Sequence, residues 1–164
     1  MPGLSEKYYF VPENDSENKF NCISQIGFAC RDINKVIDNM RLVFGVEPYR
    51  VADAISKGNA MYKGKEAEYS AKIAFYDFAN VELEFIQPVE GESVWADHLK
   101  ENETILHHIR FNMRDVDKAI DDMKAIDIDR CQWGSASADP RWSWTYFDTM
   151  PSLGFTLEFL GLNK

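Results

Sequence analysis

The chain has 164 residues, 45 % of them apolar and 13 % aromatic, enough for one domain or two small fused modules with a real core. A net charge of −9 argues against nucleic acid and anionic membrane as general partners. Three cysteines without a CxxC pair, no signal-type apolar segment and no run long enough to span a bilayer lead us to expect a reduced, soluble, cytoplasmic protein.

Residues 1–20 carry Pro2, Pro12 and a polar, acidic run, and read as an N-terminal arm. A first strand over 21–30 alternates Ile26, Phe28 and Cys30 with small or polar residues. Asp32 then caps a helix over 33–44, with Ile33, Val36, Ile37 and Met40 at helical spacing and Gly45 as its stop. Three strands are expected at 48–53, 69–78 and 81–87, with 57–68, which bears lysine and glycine, as a loop and 88–92 as a turn. A linker over 93–103 holds a short helix with Trp95 and Leu99 on one side. The next strand sets Ile109, Phe111 and Met113 against His108, Arg110 and Asn112, so His107 is expected on the face opposite His108. Asp115 caps a second helix through Val116, Ala119, Ile120 and Met123. Strands at 128–133, 142–148 and 154–161 follow, with turns at 134–140 and 149–153.

The two halves repeat. HIRFNMRDVDKAIDDM (108–123) matches QIGFACRDINKVIDNM (25–40) at 8 of 16 positions, and the offset stays at 83 residues from Gln25 to His108 and from Met40 to Met123. The expected architecture is therefore α+β: a βαβββ module over 21–92, the linker, and a second βαβββ module over 104–164. No glycine-rich phosphate loop, GxSxG or HExxH pattern is present.

The apolar strand faces are expected against the helices, which leaves the polar faces on a shared concave surface. Gln25, Glu82 or Glu84, His108 and Glu158 lie on those faces. Converged, Gln25, Glu84, His108 and Glu158 make an oxygen and nitrogen donor set suited to Zn²⁺, Co²⁺, Ni²⁺ or Mn²⁺; the plain alternative is a solvated sheet face. Arg110 shares the face of His108 and is suited either to a substrate carboxylate or to an ion pair with Glu82. Trp142, Trp144 and Tyr146 alternate along one strand face, suited to wall a pocket or to pack a core. Lys57, Lys63 and Lys65 are either phosphate contacts or a solvated loop.

The stretches SQIGFACRDINKVI, VELEFIQPVEGES, LHHIRF and TLEFL resemble, in this order, the vicinal oxygen chelate superfamily of glyoxalase I, methylmalonyl-CoA epimerase and extradiol dioxygenases, with the strongest likeness to the epimerase. The resemblance implies paired modules forming half-barrels around a cavity and a divalent metal on Gln25, Glu84, His108 and Glu158. It also implies Glu158 and Glu84 as the carboxylates of proton transfer alpha to a carbonyl, a small substrate such as an acyl-CoA, and a homodimer. Gln25 stands where the family usually has histidine, which weakens one ligand and counts against a ring-cleaving iron site. A glyoxalase I-like lyase and a metal-free binder of the bleomycin-resistance type are the competing expectations.

Overall fold

The computed structural model describes residues 8, 20, 22–135 and 139–162; the expected arm lies outside them apart from Tyr8 and Phe20. Strand β1 (Ile23–Cys30) runs into α1 (Ile33–Phe44) at Asp32, whose carboxylate accepts from the N–H groups of Asn34 and Lys35. Gly45 ends the helix in the left-handed region at φ 67°, where a side chain is disfavoured. There follow β2 (Arg50–Tyr62), β3 (Lys65–Asp77), β4 (Glu82–Glu90) and the short α2 (Val94–Leu99), capped by Ser93. The order then recurs: β5 (Thr104–Met113), α3 (Val116–Lys124) capped by Asp115, β6 (Arg130–Ser135), β7 (Trp142–Phe147) and β8 (Thr156–Leu162). One element is additional, a turn of helix α4 (Met150–Leu153) where the sequence reads only as a turn.

The α+β expectation holds. The eight strands close into one barrel in the order β1-β4-β3-β2-β6-β7-β8-β5, so each half of the chain supplies half of the wall. Strands β1 and β5 pair antiparallel with Ile26 opposite Ile109, its counterpart 83 residues on. The ladder slips by one residue at Ser24 and again at His107, which are also counterparts. An approximate twofold axis through the Ile26–Ile109 pair accounts for both slips, because a bulge on one strand must then recur on the other.

The segment 57–68 is a long hairpin rather than a loop. β2 and β3 pair from Arg50–Phe75 to Tyr62–Lys65, across a two-residue turn with Lys63 at φ 48° and Gly64 at φ 76°. Positive φ at both positions gives the turn the twist that suits a hairpin. The end of this hairpin closes the barrel, since Ala60, Met61 and Tyr62 pair with Gly134, Trp133 and Gln132 of β6. Closure leaves no open sheet edge to be covered, so edge protection gives no reason for a dimer.

Three cores follow from the strand alternation. α1 packs outside the first half, with Ile33 and Met40 on Tyr76 and Phe85. α3 packs outside the second, with Val116, Ala119 and Met123 on Phe147 and Phe159. α2 plugs the interior, where Val94, Trp95 and Leu99 meet Ala29, Ile86 and Tyr146. Among the described residues no helix is long and apolar enough to cross a membrane. Gly64→Val forces a branched residue into the left-handed region and is expected to cost about 1–2 kcal/mol, read as a lower urea midpoint with an unchanged slope.

Candidate functional site

Four neighbouring strands meet where the two halves touch. Gly27 of β1 lies opposite Glu84 of β4 on one side and His108 of β5 on the other, and Arg110 of β5 lies opposite Glu158 of β8. Side chains at these positions all turn into the barrel. His108 Nε2 lies 2.9 Å from Gln25 Oε1, 3.1 Å from Glu158 Oε2 and 3.3 Å from Glu84 Oε2. The structure therefore brings the four sequence-derived donors to one place, all nearly excluded from solvent.

Glycine at position 27 makes the room. A Cβ there would lie 1.9 Å from Cε1 of His108 and 2.3 Å from its Nε2, so the imidazole occupies the space that any other residue would fill. Gln25 is oriented from behind: its amide N–H donates to Glu82 at 2.6 Å, which turns its oxygen toward His108. Glu82 also accepts from Tyr49 Oη and, at 3.4 Å, from Arg110. Glu82 thus does not substitute for Glu84 as a donor, although both point inward.

His107 is not on the opposite face. The bulge at this residue turns it inward beside His108, with the two Nδ1 atoms 3.0 Å apart, and it is fully buried. The Gln25 oxygen only accepts, so His108 Nε2 carries the proton and its Nδ1 accepts from His107 Nδ1–H. This tautomer is assigned from the hydrogen-bond network. Strict alternation missed it, because a bulge leaves no mark in the sequence.

Behind the donors opens a cavity of about 420 Å³. Trp142, Trp144 and Tyr146 line it along β7, as the alternation suggests, and Tyr146 stands 5.2 Å from the His108 ring. Arg110 also lines it, but its guanidinium is bonded to Ser24 Oγ, the Tyr8 carbonyl oxygen and Glu82. Arg50, Trp95, Tyr69 and Phe75 complete much of the wall and were not singled out as site residues in the sequence. The available signal was the inward phase of Arg50, Ala52 and Ala54 at the start of β2.

A model of the glyoxalase/bleomycin resistance protein/dioxygenase superfamily matches residues 24–146. The chain belongs to this superfamily. Among solved structures it is similar to a hypothetical protein from Bacillus halodurans, with 17 % identity over 87 % of this chain and 94 % of that one and a TM-score of 0.65. It is also similar to methylmalonyl-CoA epimerase from Mycobacterium tuberculosis, with 10 % identity over 93 % and 95 % of the two chains and a TM-score of 0.63. A Streptomyces coelicolor methylmalonyl-CoA epimerase in complex with 2-nitronate-propionyl-CoA gives 18 %, 87 %, 95 % and 0.61 in the same terms. At these identities the likeness is one of fold. No curated protein gives a significant match.

Divalent metals are common in the superfamily, so the donors are to be tested against one. Among the described residues no three His, Cys, Asp or Glu side chains stand close enough together, as they are oriented, to hold an ion. The spacings nevertheless suit one, since donors at about 2.0 Å from a tetrahedral ion stand about 3.3 Å apart. Glu158 Oε2 is buried and accepts no hydrogen bond, which leaves a lone pair aimed at the cluster. His108 is neutral, its pKa lowered to about 3 by burial and then by Arg110. Moving its proton to Nδ1 frees Nε2 to bind, with the His107 proton shifting to that ring's own Nε2 so that His107 Nδ1 becomes the acceptor. The residues fit a divalent ion, with Gln25 as the weakest donor.

Burial raises the Glu158 pKa from 4.5 to about 8, and burial followed by Glu158 itself holds Glu84 well above the usual range. For a raised carboxyl the sign is fixed: its contribution to stability is complete below about pH 4.5 and lost as pH rises toward 8. The chelator-treated protein is therefore expected to melt about 5 °C lower at pH 8 than at pH 5, with Glu158→Gln flattening the slope in a calorimetric series. Gly27→Ala is expected to displace the His108 ring and shift its ¹⁵N resonances.

Proposed function

We propose that the protein is a metal-dependent epimerase or isomerase that moves a proton alpha to a carbonyl. The observation that carries this reading is the meeting of Gln25, Glu84 and Glu158 oxygens on His108 Nε2 within 2.9–3.3 Å, at the end of a cavity large enough for a small molecule. His108, Glu84 and Glu158 would hold the ion, with the Gln25 oxygen as a fourth and weaker donor. Bound there, a divalent cation supplies Lewis-acid polarisation of a carbonyl oxygen.

The chain's own groups handle the proton. Glu158 Oε2 faces the cluster with no hydrogen bond, so this carboxylate is oriented to take a proton and return it. Glu84, on the equivalent strand of the other half, would serve as the second carboxyl. Glu82 and Tyr49 keep the Gln25 amide turned. A substrate filling the cavity against the aromatic walls would displace water and lower the local dielectric, which strengthens each of these interactions. The superfamily resemblance adds a homodimer and an acyl substrate to the reading.

Metal content and solvent deuterium incorporation into methylmalonyl-CoA or another racemisable acid test it. The protein is expected to retain about one divalent ion per chain. His108→Ala is expected to lose the ion, because it deletes the strongest neutral donor. Gln25→His is expected to tighten binding about tenfold or more, since an imidazole N–H also suits the Glu82 carboxylate. Glu158→Gln is expected to lower exchange at the alpha carbon by a factor of about 10² or more while metal content falls less. Retention of one equivalent by His108→Ala would move the metal elsewhere. A metal-free protein with no exchange would favour the binding-protein alternative.

A further inference from the structure

We infer that the substrate is a carboxylic acid with a flat aromatic or conjugated body rather than an ester of coenzyme A. The inference rests on the proton-transfer reading and concerns the part of the molecule that does not react.

The first observation is a ladder of rings. Tyr146 stands 5.2 Å from His108, and Trp144 stands 5.4 Å from Tyr146. Trp142 lies two residues further along β7, so the ladder runs about 13 Å at about 3.3 Å per residue. Trp95 backs it, with its ring centroid 6.3 Å from that of Trp144. Gly134 permits the arrangement, because a Cβ there would lie 2.9 Å from Trp144 Cζ2. A row of tilted rings of this length offers faces and edges to a planar apolar body, for which offset and edge contacts add to simple burial.

The second observation is one available cation. Glu84, Phe75 and Arg50 are consecutive partners across β4, β3 and β2. The Arg50 guanidinium lies over the Phe75 ring, 4.6 Å from its centroid, and lines the cavity. Among the described residues no carboxylate pairs with it. It stands two strands from Glu84, about 9.6 Å between backbones. A single small molecule can therefore keep a carbonyl oxygen at the donors and a carboxylate on Arg50. Arg110, by contrast, already spends its N–H groups on Ser24, Glu82 and the Tyr8 carbonyl.

The third observation concerns the mouth, where a nucleotide carrier would lie. Away from the donors and Arg110, the charged residues among its described lining are Arg50, Asp53 and Asp139, and Asp139 is paired with Arg141 at 2.7 Å; none of the described lining residues is a lysine. Lys63 faces a separate cavity and is paired with Asp97 at 2.6 Å. The lining thus holds no cluster of cations for the several phosphates of a CoA ester, since Arg50 alone is unpaired by a carboxylate, and the chain's net charge of −9 opposes such a polyanion.

Isothermal titration calorimetry of the zinc-loaded protein with phenylpyruvate, pyruvate, phenylacetone and propionyl-CoA tests the inference. Phenylpyruvate is expected to bind at least tenfold tighter than each of the others. Arg50→Gln is expected to weaken phenylpyruvate about tenfold and leave phenylacetone unchanged, and Trp144→Ala to weaken both aryl compounds while leaving pyruvate unchanged. Tighter binding of propionyl-CoA, or an Arg50→Gln protein with unchanged phenylpyruvate affinity, overturns the inference. Selective aryl-acid binding without alpha-deuterium exchange keeps it and removes the proton-transfer reading. Exchange on a thioester by a protein that ignores the aryl acid removes it and keeps that reading.

Discussion

The pairing of Ile26 with Ile109 is the contact on which the rest of the structure depends. Two equivalent strands cross antiparallel at equivalent residues, so the halves are related by an approximate twofold axis. That axis puts β4 and β8 on the outer flanks of β1 and β5, each in parallel register. Glu84 and Glu158 then face inward from opposite sides toward the same place. It also leaves the far strands β2 and β6 positioned to meet, and their short ladder completes the wall. One register therefore sets both the closure of the barrel and the convergence of the donors.

Near such an axis the halves cannot stay identical, because equivalent side chains compete for one space. Counterparts on β1 and β5 differ accordingly. Position 27 is glycine where its counterpart is Arg110, and the His108 imidazole fills the vacated volume. Gln25 is the counterpart of His108, and the two are bonded to each other across the axis at 2.9 Å. Ser24 and His107 are the paired bulge residues; the first anchors Arg110 and Asn112, the second contacts His108. The non-conservative changes Gln25/His108 and Gly27/Arg110 fall where packing allows only one occupant, while the caps Asp32 and Asp115 are kept and the helices differ by related residues such as Ile33/Val116 and Asn34/Asp117.

Much of this was legible in the chain. Helix α1 falls at 33–44 as its cap, period and terminal glycine indicate, since those signals are local. The inward phase of Gln25, Glu84, His108 and Glu158 followed from strict alternation, which holds wherever the ladder is regular. What escaped was non-local or irregular. The hairpin arms around Lys63–Gly64 are polar because they stand partly in solvent, and polar residues lose little in a ladder whose hydrogen bonds come from the backbone. His107 escaped because a bulge shifts phase by one residue. Arg50 escaped because its place in the cavity wall depends on β2 lying beside the row of Glu84 and Phe75, a relation between strands that no single segment encodes.

The buried carboxylates separate into two kinds, and the separation bears on function. Glu82 is 1 % exposed but accepts from Gln25, Tyr49 and Arg110, so its charge is met on several sides. Removing a carboxylate from water is costly unless such partners replace the solvent. Glu84 and Glu158 are nearly as buried, 8 % and 5 % exposed, yet each lies beside a neutral histidine with Arg110 acting only through space, and they repel one another. Packing alone gives no reason to keep two such groups together, since apolar residues of similar volume would remove the repulsion. The cost is offset when something with positive charge, or a proton in transit, occupies the space between them. Glu82 accordingly belongs to the scaffold that fixes Gln25, while Glu84 and Glu158 are the pair that packing leaves unexplained and that the proposed proton transfer would use.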